Sequence, residues 1–129
     1  MSKAISSAAI AAVTEKMGFE KKPHYCQRWV RQVVQSVCGS DYDKLFKGNA
    51  ADTGKAMKAA GLSIPLTRGC VPGDLLYKLT GSGGDGHVAI RVEGNRVAEN
   101  SSVHWDGKDA RGFRTMKEFG NFDMIIRLV

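Results

Sequence analysis

The stretch Tyr25-Cys26-Gln27-Arg28-Trp29-Val30-Arg31 decides how the rest of the chain is read. Its apolar positions, Trp29 and Val30, continue through Val33, Val34 and Val37 as an i, i+4, i+8 stripe doubled by its neighbour, the pattern of a buried helix. Pro23 suits a first helical turn, and Gly39 suits a stop. The spacing therefore predicts a helix with Cys26 in its first turn, on or beside the buried stripe. There the unpaired backbone N–H groups and the positive end of the helix dipole favour a thiolate. A cysteine among valines also reads as a small core residue, so the helix alone does not choose.

Upstream, residues 4–17 read as a helix with Ile5, Ala9, Ala12, Val13 and Met17 on one face and Gly18 as its end. Downstream, residues 40–50 form a polar connection anchored by Leu45-Phe46. A second helix, Asp52 to Ala60, is capped by Asp52 or Thr53 and closed by Gly61. Leu62 to Val71, with Pro65 and Gly69, reads as irregular. After Pro72-Gly73-Asp74 the period changes. Leu75 to Leu79 is a strand, Gly81 to Gly86 a loop, and His87 to Val92 an alternating strand. Glu93-Gly94-Asn95 turns it into a hairpin with Arg96 to Asn100. A polar segment runs through Gly112, and Met124 to Val129 is a last strand. Helices first and an antiparallel sheet afterwards make an α+β fold, expected as one domain over residues 1–129.

Composition narrows the function classes. Hydrophobic residues make up 43% of the chain, which suits an ordinary globular core. No apolar run approaches the roughly 20 residues of a spanning helix, so no membrane insertion is expected. Ala4 to Val13 is alanine-rich and interrupted by Ser6 and Ser7, which reads as a helix rather than a cleaved signal, with synthesis in the cytoplasm. The net charge of +6, from 19 basic and 13 acidic residues, favours polyanionic partners. The basic residues are dispersed, without an arginine-rich run or an aromatic-basic repeat, so nucleic acid is not the expected partner. Three cysteines, Cys26, Cys38 and Cys70, with no Cys-x-x-Cys, argue against a disulfide framework and a structural zinc site. No metal or cofactor is called for.

Three motif matches fail on context. Gly81-Ser82-Gly83-Gly84-Asp85-Gly86 matches G-x-G-x-x-G but leads into a strand, where dinucleotide binding needs a helix N-terminus. Gly54-Lys55-Ala56 lacks the spacing of a phosphate loop and the hydroxyl for magnesium. Asp41-Tyr42-Asp43 lacks the remainder of a calcium ligand set.

A cysteine nucleophile needs an imidazole partner and donors for an oxyanion. His87 opens a strand directly after the glycine loop, so its ring can stand at a cleft edge. The hairpin returns Glu99 and Asn100 toward it, and either can orient the ring.

In this order the segments resemble the NlpC-type and CHAP-type cysteine peptidases and amidases that cut bacterial peptidoglycan. The resemblance rests on Tyr25–Arg31, on Pro72-Gly73-Asp74-Leu75-Leu76-Tyr77, on Gly86-His87-Val88-Ala89-Ile90 and on Arg96-Val97-Ala98-Glu99-Asn100-Ser101-Ser102. It implies a papain-like α+β domain, N-terminal helices packed on a small antiparallel sheet, that hydrolyses wall-peptide amide bonds through a thioester. It implies Cys26 as nucleophile, His87 as general base and then acid, and Glu99, twelve residues past His87 (99 − 87), as the third residue. Asn100 is the alternate third residue, because a one-residue change in register exchanges the faces.

The chain departs from its apparent relatives at the cysteine. NlpC-type members usually carry Asp before it and CHAP-type members often Gln, where this chain has Tyr25, with Gln27 after. The backbone N–H of Cys26 is the leading oxyanion donor, with Tyr25 and Gln27 as further candidates. His104 and Trp105 are candidates for substrate contact; His24, Cys38 and Cys70 are not assigned to the chemistry.

The implied substrate is peptidoglycan, as a stem-peptide endopeptidase or an N-acetylmuramoyl-L-alanine amidase. The implied contexts are a phage lysin freed by a holin, a tail-associated hydrolase, or an antibacterial effector with an immunity protein, each acting at the bacterial wall. Alternatives on the same scaffold are a protein-directed protease or deamidase, an acyltransferase, and a non-catalytic wall-binding domain.

Overall fold

In a computed structural model of the chain, residues 2–14, 26–80, 84–101 and 111–128 are described. Three helices come first: α1 Ser2–Thr14, α2 Cys26–Cys38 and α3 Ala50–Ala59. The strands are β1 Ser63–Ile64, β2 Leu75–Lys78, β3 His87–Val92, β4 Arg96–Asn100, β5 Arg111–Thr115 and β6 Met124–Ile126, with the short helix α4 Met116–Phe119 between the last two. The strands form one sheet in the order β1-β6-β2-β3-β4-β5, every neighbour antiparallel. This is the α+β architecture that the helix and strand periods predict.

The two-residue alternation of the strands sorts the core into two layers. Leu75, Tyr77, Val88, Ile90, Val92 and Ala98 face the helices and pack with Ile5, Ala9, Trp29, Val30, Val33 and Val34. All are effectively excluded from water. Leu76, Ala89, Val97 and Ile125 face the other way and pack under Phe119 of α4. Burying the α2 stripe of three valines and a tryptophan contributes roughly 1.5–3 kcal/mol per side chain, which fixes the N-terminus of α2 against the sheet.

Gly73 seats α1. Its φ is +98°, and a Cβ there would meet the Ser2 carbonyl oxygen at 2.0 Å. The turn is tied to β3, because Gly73 N–H donates to the Arg91 carbonyl and Arg91 N–H to the Asp74 carbonyl, at 2.7 and 2.9 Å.

The observed elements differ from the expected ones at several ends. α1 begins at Ser2, and residues 15–17 of the expected helix lie outside the described residues. Asn49, not Asp52 or Thr53, caps α3. Its side chain accepts from Asp52 N–H, and Asp52 returns a bond to Asn49 N–H as a capping box. The last strand stops at Ile126, where Arg127 turns to Asp74. Four elements sit in segments that sequence left irregular: β1, a 3-10 turn over Leu66–Arg68, β5 and α4. β1 is only two residues long before Pro65, and β5, Arg-Gly-Phe-Arg-Thr, offers one large apolar side chain, too few to set a period.

Candidate active site

His87 is the first residue of β3, and Gly86 is what allows it to stand where it does. Gly86 has φ +77°, and a Cβ on it would lie 2.6 Å from the Lys78 carbonyl oxygen and 3.0 Å from Ala51 N. Ala51 N–H donates to the Asp85 carbonyl at 3.0 Å, and the Asn49 amide reaches the Asp85 carboxylate at 3.3 Å. The loop end is thus fastened to the first turn of α3. The residue before the α3 cap holds α2, since Gln27 Nε2 donates to the Gly48 carbonyl at 2.9 Å.

Cys26 is half-buried at the first position of α2, near enough to His87 for its sulfur to be among the groups that raise the imidazole. Nε2 of His87 lies 2.6 Å from Glu99 Oε1, so Nδ1 is the ring nitrogen left for the sulfur. Burial alone would push the imidazole down. The hydrogen bonds to Cys26 and Glu99, with their negative charges, outweigh it and lift His87 to about 9. At neutral pH the ring is therefore an imidazolium. Glu99 has no solvent exposure. Burial pushes its carboxyl up, but hydrogen bonds to His87 and Arg114 and the charges of both hold it below the usual carboxylate range.

Arg114 is the site residue that sequence reading missed. In the β4–β5 register Glu99 faces Gly112, which carries no side chain, and Arg114 faces Val97. From there the guanidinium grips Glu99 at both oxygens, Nη2 to Oε1 at 2.8 Å and Nε to Oε2. α4 closes the apolar side. Phe119, buried, lies 6.2 Å from the His87 ring and 5.2 Å under the Arg114 guanidinium. Lys78 Nζ stands 4.1 Å over the same ring and donates to the Phe119 carbonyl. Burial, and then the Arg114 charge, press Lys78 down, partly offset by Glu99 and Asp123. One signal for α4 was in the sequence: Thr115-Met116-Lys117-Glu118 has the capping-box spacing, and both of its bonds form.

The structure brings Cys26, His87 and Glu99 together. Asn100 alternates onto the helix side of the sheet with Ala98, 2% exposed, and its amide atoms find no partner among the described residues. Gln27 has its amide nitrogen on Gly48, while its Oε1 is buried without a partner there. Tyr25, His24, His104 and Trp105 lie outside the described residues. None of the three cysteines is in a disulfide; Cys38, buried at the far end of α2, has its thiol pushed up by burial and by Asp41. Of the residues considered for calcium, Asp43 accepts from Gln35 at 2.8 Å and lies 3.8 Å from Arg31. Among the described residues no three His, Cys, Asp or Glu side chains cluster as metal ligands.

A thiol, an imidazolium and a buried carboxylate in line, with the sulfur at a helix N-terminus, can carry out nucleophilic acyl transfer. Comparison with known proteins agrees on the fold. The chain is similar to the crystal structure of the NlpC/p60 domain of peptidoglycan hydrolase SagA, with a TM-score of 0.64 and 21% sequence identity, covering 99% of each chain. No protein-family model matches the sequence, and no curated protein does. The helices-on-antiparallel-sheet fold is thus that of an NlpC/p60 domain, reached with a sequence largely its own.

Proposed function

We propose that this chain is a cysteine hydrolase that cleaves amide bonds in peptidoglycan. The observation that carries the reading is the placing of His87 beside Cys26 at the start of α2 and 2.6 Å from the buried Glu99 carboxylate, in a chain folded end to end like a peptidoglycan hydrolase domain. The thiolate of Cys26 adds to the scissile carbonyl carbon. The carbonyl oxygen becomes an oxyanion facing the backbone N–H of Cys26, one of the donors that a helix start leaves unpaired. The C–N bond then breaks, and the imidazolium of His87 gives its proton to the departing amine. A thioester remains. Water attacks the thioester carbonyl as His87 takes its proton, the C–S bond breaks, and the acid leaves while the Cys26 thiolate and the His87 imidazolium are restored. Glu99 keeps the ring in the tautomer that presents Nδ1 to the sulfur.

No helix among the described residues is long and apolar enough to cross a membrane. The surplus of six positive charges would hold the enzyme on an anionic wall. The site of action in this reading is the bacterial wall, reached by release through a holin or by delivery as an effector, and the whole chain acts as one domain.

Purified sacculi test the reading. Wild-type protein should release soluble peptide fragments, and Cys26→Ala and His87→Ala should each release none while still folded at the assay temperature, His87→Ala with a lowered unfolding temperature. Lysis by Cys26→Ala would overturn the mechanism. Mass spectrometry of the fragments distinguishes a new stem-peptide terminus from a free N-acetylmuramoyl lactyl group, and so endopeptidase from amidase.

A further inference from the structure

Glu99 is a carboxylate with no solvent exposure, and it has two cationic partners rather than one. Its Oε1 accepts from both His87 Nε2 and Arg114 Nη2, at 2.6 and 2.8 Å, and its Oε2 accepts from Arg114 Nε. The side chains of Arg114 and His87 are 11% and 15% exposed, so solvent does little to neutralise the group. In the mechanism proposed above, His87 alternates between imidazolium and imidazole. If His87 were the only partner of Glu99, the neutral ring would leave a lone buried carboxylate, the costly state for an interior charge. The pair would then hold its proton, whether on the ring or on the carboxyl, rather than yield it to a leaving amine.

We infer that Arg114 is a positioning residue of this site: its two-pronged grip takes up the charge of Glu99 and leaves His87 free to lose and regain a proton. With Arg114 in place, Glu99 is compensated whatever the charge of the ring. The planar fork of arginine suits two carboxylate oxygens, and Gly112, opposite Glu99 in the register, puts no side chain there. Among the described residues, the other ionisable groups around the ring are Cys26 from α2 and Lys78 from β2, with Asp123 acting on Lys78. Lys78 directs its ammonium to the Phe119 carbonyl, so it does not take over the carboxylate. The inference rests on His87 as a proton carrier, but its test needs no substrate.

The His87 ring can be titrated by NMR in the folded, full-length protein, its signals assigned by their loss in His87→Gln. Arg114→Gln, which keeps hydrogen bonding and drops the charge, should raise the proton affinity of the His87–Glu99 pair at least tenfold. Arg114→Lys should stay within threefold of wild type. In Glu99→Gln/Arg114→Gln the affinity should match that of Glu99→Gln alone. An unchanged or lowered affinity in Arg114→Gln, equal shifts in the Gln and Lys variants, or a further shift in the double variant would each overturn the inference. Thermal unfolding accompanies every variant. Should Arg114→Gln not fold, the double variant, which buries no charge, supplies the deciding comparison. Failure to digest sacculi with the expected titrations intact would count against the substrate, not against Arg114.

Discussion

His87 and Glu99 lie within 2.6 Å of one another because β3 and β4 leave their turn in a register that puts both side chains on the face under Phe119. Asn100, the next residue, is carried to the opposite face by the pleat. Charge and register together favour Glu99 as the orienting residue. Glu99→Gln keeps the volume but removes the charge and leaves Arg114 without its partner. It should lower kcat/KM on sacculi by about 10,000-fold, the loss expected when the orienting carboxylate of a triad becomes an amide. Asn100→Ala should change it less than about threefold. The reverse order in a side-by-side assay would transfer the role to Asn100.

The titration of His87 makes stability depend on pH, and the sign is determined. The ring is raised from 6.5 to about 9 in the folded state. The stabilisation is complete below about pH 6.5, declines as pH rises through the interval, and is gone above about 9. Its size is roughly 3 kcal/mol at 1.36 kcal/mol per tenfold change in proton affinity. Urea midpoints at pH 6 and pH 9.5 should fall accordingly in the wild type and change much less in His87→Gln. Cys26→Ala removes one of the groups that raise the ring, so its decline should be smaller than the wild-type one. Equal declines in the wild type and Cys26→Ala would show that the sulfur does not touch the ring's ionisation.

Gly86 sets the position of the histidine by having no side chain. At φ +77°, and with a Cβ due 2.6 Å from the Lys78 carbonyl oxygen, the residue cannot be enlarged without moving backbone. Gly86→Ala should cost about 2–4 kcal/mol of stability by strain and displacement together. It should also slow alkylation of Cys26 by iodoacetamide, because His87 follows directly and shifts with the loop. Gly84, with open space around its Cβ position, is the internal control: Gly84→Ala meets nothing within 4 Å and retains only the penalty of a positive φ. Equal losses at the two positions would mean that crowding at Gly86 plays no part.

Much of this site was legible because its parts obey strong local rules. The valine stripe after Cys26 set the α2 helix, the alternation from His87 to Val92 set β3, and Glu93-Gly94-Asn95 set the hairpin that returns Glu99. Asn95 indeed adopts a positive φ of 55°. Arg114 was illegible for a physical reason. β5 lies at the sheet edge, with Phe113 as its one large apolar residue, and its role depends on a cross-strand register that composition does not encode. Phe119 was hidden likewise: a four-residue helix is too short to display a period, so only its capping box announced it. The cap of α3 shows the same limit. Asp52 is a cap participant, but the tie between Asn49 and Asp85 that also favours capping one turn earlier spans 36 residues of sequence.

Arg127 and Asp74 give a last prediction that separates scaffold from chemistry. Asp74 is fully buried, and Arg127 meets both of its oxygens, Nε at 2.9 Å and Nη2 at 2.8 Å. Asp74 also accepts from Val71 N–H at 2.9 Å, so the carboxylate stitches the turn before β2 to the chain after β6. Arg127→Met leaves that carboxylate buried with no cation, and breaking a buried pair from one side costs about 3–5 kcal/mol. Asp74→Asn/Arg127→Met removes the stranded charge and should recover a large part of the loss. Denaturant unfolding of the two variants measures both effects. In neither should the NMR titration of His87 move by more than about twofold in proton affinity, because Asp74 and Arg127 are not among the groups that shift the ring. A double variant no more stable than Arg127→Met would mean that the missing fork of hydrogen bonds, rather than the uncompensated charge, is what the fold loses.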